Sequence, residues 1–149
     1  MNKVRRLLLQ GAGAVAAGLL APLSALAAAW NKDAFGAKSA PDALKALGAS
    51  DAAPSREVVI EAPEIAENGA VVPIEVTSGV RGTTALMVLV DHNPFPLIAR
   101  FDFAAGALPF VKLNVKMGET SNVRAIAEAG GRHYAATKEI KVTIGGCGG

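Results

Sequence analysis

Between residues 57 and 144 the chain breaks into short runs in which apolar and polar residues alternate, each closed by a turn signal. A period of two buries one face of a strand and leaves the other wet, so such runs are stable only as sheets stacked on one another. The first run, 57–61, stops before Pro63, and the second, 71–77, follows the Asn68-Gly69 turn with Val72, Ile74 and Val76 on one side. Pro73 lacks an N–H, which places its position outward on an edge or at a bulge. The run 84–90 is almost wholly apolar and reads as a central strand buried on both faces, closed by Asp91-His92-Asn93-Pro94. In the run 97–103, Leu97, Ala99, Phe101 and Phe103 fall on one side. Residues 111–117 alternate without a break, and Gly130-Gly131 turns the run 123–129 back into 132–144. The expected fold is all-β: an immunoglobulin-like antiparallel sandwich of about seven strands spanning 55–144.

Ahead of it, residues 30–54 hold one short helix. Ser39 or Ala40 lies near its cap, Pro41 in its first turn and Gly48 at its stop, while Leu44 and Leu47 share a face. Residues 1–29 read differently. Lys3, Arg5 and Arg6 precede an uncharged Leu/Ala/Gly/Val stretch and an A-x-A site at Ala25-Leu26-Ala27, the layout of a cleaved export signal. Its apolar core is short and rich in Gly and Ala, which argues against a retained anchor. Arg5-Arg6 before Leu7-Leu8-Leu9 favours the twin-arginine route to the periplasm over the general secretory route. Without those three cations the formal net charge falls from +2 to −1. The basic character of the precursor is therefore no argument for a nucleic-acid or membrane partner.

The one cysteine, Cys147, sits in Gly145-Gly146-Cys147-Gly148-Gly149. An exported chain with a single cysteine has no internal disulfide, so this thiol is either free and reactive or paired with another molecule. Four flanking glycines offer no side chain to bury it against, and the expected state is a flexible arm at 145–149. Five extended residues span roughly 17 Å and are slim enough to enter a narrow channel. No His, Arg or helix N-terminus adjoins Cys147 to make the thiol more acidic, so activation falls to whatever site it enters. His92 and His133 have no Cys, His or carboxylate at ligand spacing, and neither a metal site nor a cofactor site is expected. Nor is there a nucleophile–His–carboxylate pattern or a phosphate loop. Asn93-Pro94-Phe95-Pro96 is a rigid corner by composition, and Phe95 between two prolines makes it a candidate docking surface.

The glycine-flanked Cys147, the export signal and the strand-rich body together resemble SoxY, the sulfur-carrier family of the bacterial thiosulfate-oxidising Sox system. The blocks 63–69, Val72-Pro73-Ile74 and Asn93-Pro94-Phe95-Pro96 resemble family blocks at matching places in the strand order. The resemblance implies that Cys147 is the covalent attachment point of a non-catalytic carrier. It further implies a heterodimer with SoxZ, a second immunoglobulin-like protein. Transient visits would go to a haem enzyme that couples thiosulfate to the cysteine, a hydrolase that releases sulfate and a molybdenum-containing sulfane dehydrogenase. Two other readings stay open: a ubiquitin-like carrier working through a Gly148-Gly149 carboxylate, and an exported sandwich that uses Cys147 for a mixed disulfide.

Overall fold

The computed structural model describes residues 31–143. The expected export signal and the glycine arm lie outside them. Nine strands form: β1 (Ala53–Pro54), β2 (Val58–Glu61), β3 (Ile65–Ala66), β4 (Val72–Ser78), β5 (Thr83–Val90), β6 (Leu97–Asp102), β7 (Phe110–Val115), β8 (Ser121–Ala129) and β9 (Arg132–Val142). The larger sheet runs β1-β9-β8-β5-β6 with β3 also on β9, and the smaller runs β2-β4-β7. The two sheets pack face to face, as the alternation requires. Leu86, Val88 and Val90 of β5 and Val123, Ala125 and Ala127 of β8 meet Val72, Ile74 and Val76 of β4 in the shared core.

Two strands were not foreseen. β1 and β3 are two-residue segments that pair parallel with β9, at Ala53↔Tyr134 and Ile65↔Lys141, so the sandwich is not purely antiparallel. Two residues carry no readable alternation, and their pairing is set by β9 rather than by their own side chains. They cover the outer edge of β9, which would otherwise expose unpaired backbone groups.

A third layer lies on the other face of the large sheet. Two short helices, α1 (Lys32–Gly36) and α2 (Ala40–Ala46), pack there, where the sequence predicts a single helix. Asn31 caps α1 by accepting from the Ala34 amide at 3.0 Å. Ser39 caps α2 by accepting from the Asp42 amide at 3.2 Å, with Pro41 in the first turn as expected. Ala34, Ala37, Ala43 and Ala49 lie against Met87, Leu89, Leu97 and Ile126. Small side chains allow this close approach, and the helix layer explains why β5 is apolar on both faces.

Two details of strand facing differ from expectation. Pro73 is exposed but lies in β4, the middle strand of its sheet. The ladder with β2 ends at Glu61↔Glu75, so on that side Pro73 has no partner to lose. In β6 the register shifts between Val88↔Ala99 and Leu89↔Leu97, leaving Ile98 as an extra residue. This bulge turns Leu97 under the helices while Ile98, Phe101 and Phe103 pack into the core between the sheets. The β8–β9 hairpin closes through Gly130 and Gly131 at φ 57° and 73°, the left-handed pair that a two-residue turn of matching twist demands.

Candidate functional site

Cys147 and its neighbours Gly145, Gly146, Gly148 and Gly149 lie outside the described residues, so the site is read from the base to which they attach. That base is the end of β9, and it is held from both sides. On one side the Lys141 amide donates to the Glu64 carbonyl at 2.9 Å and the Thr143 amide to the Ala66 carbonyl at 3.1 Å. On the other, the Val142 amide donates to Thr120 Oγ1 at 3.0 Å.

Thr120 also faces the Asn93-Pro94-Phe95-Pro96 corner. Its carbonyl accepts from His92 Nδ1 at 2.9 Å, and the His92 amide donates to Ser121 Oγ at 3.0 Å. Asn93 Nδ2 reaches the Lys116 carbonyl at 2.8 Å. β5 ends, and β8 begins, where β9 ends, so the corner and the root of the arm share one pole of the sandwich. Thr120 joins them directly. Gly69 belongs to the same pole: its carbonyl accepts from the Met117 amide at 2.7 Å, and a Cβ there would collide with the Met117 carbonyl oxygen.

Within the corner, Pro96 is buried and its carbonyl accepts from the Val90 amide at 2.8 Å, which fixes the turn. Phe95 remains 49% exposed. Lys38, from the segment just before α2, places its Nζ 3.4 Å from the centre of the Phe95 ring. Asp91, two residues ahead of the corner, takes a two-pronged ion pair from Arg124 of β8, with Nε–Oδ1 at 2.7 Å and Nη2–Oδ2 at 2.8 Å. That hydrogen bond first, and the Asp91 charge after it, raise the Arg124 pKa against the opposing cost of burial. A cavity of about 550 Å³ opens beside this pair, lined by Lys38, Ser39, Leu44, Ser50, Asp91 and Arg124.

The two histidines are not brought together. His92 sits at the arm pole, 3.8 Å from Glu119, whereas His133 pairs across from Glu128 near the Gly130-Gly131 hairpin at the opposite pole. Among the described residues no group of three His, Cys, Asp or Glu side chains is placed to hold a metal ion. Sequence reasoning found the corner but missed Thr120, Arg124 and Lys38, whose partners lie 22 to 57 positions away in the chain. No local signal marks such contacts.

The sequence profile of the family described as "Sulfur oxidation protein SoxY" matches residues 43–147, a span that takes in both the arm pole and Cys147. The chain belongs to the SoxY family. Among solved structures it is similar to the sulfur carrier protein SoxY from Chlorobium limicola f thiosulfatophilum. The two are 37% identical, the match covers 76% of this chain and 100% of that one, and the TM-score is 0.66. A superoxide reductase (neelaredoxin) from Ignicoccus hospitalis shares the fold alone, at 23% identity over 58% of this chain and 79% of that one, with a TM-score of 0.52. No curated protein sequence matches the chain. SoxY proteins are sulfur carriers, and the immunoglobulin-like sandwich is the frame common to this chain and the Chlorobium carrier.

Proposed function

We propose that this protein carries sulfur intermediates of periplasmic thiosulfate oxidation as covalent adducts of Cys147 and catalyses none of the steps itself. One observation carries the reading: the family match extends through Cys147, whose glycine-flanked stretch follows directly on a strand end pinned by Thr120, Glu64 and Ala66. A pinned root with a slim, side-chain-poor continuation suits delivery of a thiol into other proteins. It does not suit a nucleophile that must be held still.

In the chemistry proposed, a haem enzyme takes two electrons as the Cys147 thiol and thiosulfate form an S–S bond, and a proton is released. The adduct is Cys147–S–S–SO₃⁻. A hydrolase then adds water across the terminal S–S bond, releasing sulfate and leaving a persulfide on Cys147. A sulfane dehydrogenase oxidises the remaining sulfur where one is present. The stable partner is a SoxZ-type subunit, and export rests on the basic and apolar stretch at 1–29.

Intact-mass analysis after incubation with thiosulfate, the haem enzyme and the SoxZ-type partner tests this. The expected result is a thiosulfonate mass gain on the peptide containing Cys147. A modified Gly149 carboxylate would instead support the ubiquitin-like reading, and a stable protein–protein disulfide the mixed-disulfide one.

A further inference from the structure

The arm is short. Cys147 lies four residues beyond Thr143, the last described residue, so its Cα reaches at most about 14 Å from that point even when fully extended. An enzyme whose reacting atoms lie at the end of a channel must therefore bring its surface down onto the pole from which the arm leaves. Three apolar side chains are exposed at that pole: Ile65 of β3 beside Lys141, Val71 two residues from Gly69, and Phe95 of the corner. Phe95 alone of the three is aromatic and carries a cation on its ring, and it stays half exposed although it lies next to buried Pro96 and Leu97.

We infer that Phe95 and Lys38 form the docking surface for the enzymes that receive Cys147, an inference that rests on the carrier reading. The partner surface is the rim of the channel that admits the arm, with apolar contact for the Phe95 ring and a carboxylate for the Lys38 ammonium. Three observations converge. The corner is rigid: the Pro96 carbonyl holds Val90, Asn93 holds the Lys116 carbonyl, and Asp91 is clamped by Arg124. A pre-shaped contact loses little freedom on binding. The Lys38 ammonium stands 3.4 Å from the centre of the Phe95 ring, and Lys38 also lines the 550 Å³ cavity, which can take a projecting side chain. Finally, Thr120 ties the corner to the arm through His92 on one side and Val142 on the other. An enzyme seated on Phe95 thus finds the root of the arm at a set place.

The test uses the full chain in complex with its SoxZ-type partner, the haem enzyme and thiosulfate, following adduct formation on Cys147 by mass. Phe95→Ala is expected to raise the KM for the carrier on the order of tenfold. Lys38→Gln is expected to raise it less and to flatten its dependence on ionic strength. Alkylation of Cys147 by iodoacetamide should proceed at the wild-type rate in both variants, because a small reagent needs no docking. Equal KM values in wild type and both variants overturn the docking surface while leaving the carrier intact. Slowing of iodoacetamide to the same degree as the enzyme also overturns it, by showing that the variants alter the arm rather than the contact. A wild-type protein that never gains the adduct overturns the carrier reading, and this inference with it.

Discussion

Two positions, Cys147 and Gly69, separate what the proposed function needs from what the fold needs. At Cys147, four neighbouring glycines provide nothing to pack against, so Cys147→Ser should leave the melting temperature within about 1 °C and abolish the mass gain with thiosulfate. Loss of folding in that variant would contradict an exposed arm. Gly69 is the reverse case. A Cβ there would meet the Met117 carbonyl and come within 2.8 Å of Val142 Cγ1, so backbone would have to move. Gly69→Ala should cost about 1–3 kcal/mol, read as a lower midpoint in urea unfolding at unchanged slope. Gly36 offers the contrast: nothing lies within 4 Å of the position a Cβ would take and its φ is ordinary. Gly36→Ala should therefore stabilise by about 0.4–1 kcal/mol, through the unfolded chain. The proposal for Cys147 rests on sequence, because a lone cysteine among glycines is noticed without tertiary context. Gly69 was legible only as a turn, since its close approach to Met117 depends on how two distant loops meet.

At the scale of single elements, β9 holds most of the interest. Thr120→Val removes the acceptor for the Val142 amide while keeping the shape of the side chain. Loss of one such bond, worth about 1 kcal/mol, should speed hydrogen exchange at the Val142 amide roughly fivefold and leave mid-strand β9 amides such as Ala136 unchanged. No change at Val142 would mean that Thr120 does not hold the root. The strands with long alternating runs, β4, β7 and β8, were readable from sequence because burial of one face dictates their pattern. β5 was readable as doubly buried, though its second cover turned out to be helices. β1, β3 and α1 were not readable, each being too short for periodicity, and the Ile98 bulge upset a facing that strict alternation assigns to Leu97. The corner was visible in composition alone. Its link to the arm was not, because His92 and Thr120 are 28 positions apart.

Over the whole molecule, the layers differ in how much they depend on one another. The helix layer meets the sandwich through β5, β6 and β8 with Ala135 of β9, and its fully buried contacts are alanines, flanked by the partly buried Phe35, Leu44 and Leu47. Ala43, fully buried on α2, tests their independence. Ala43→Arg should release α1 and α2, seen as rapid amide exchange in residues 32–46 and binding of a hydrophobic dye to the uncovered Met87, Leu89 and Ile126 face. Amides of β5 and β8 should stay protected, and cooperative loss of all protection would show one indivisible unit instead. The long strand that leads to the arm has a different kind of security. β9 pairs with β8 from Ala129↔Arg132 to Ser121↔Ile140, and with β1 and β3 on its other side. The antiparallel bonds to β8 lie across the strand, so tension applied along β9 from its end loads many of them together in shear rather than opening them one at a time. On the proposed carrier reading, a partner that grips the chain beyond Thr143 and pulls loses its own contact before the body yields.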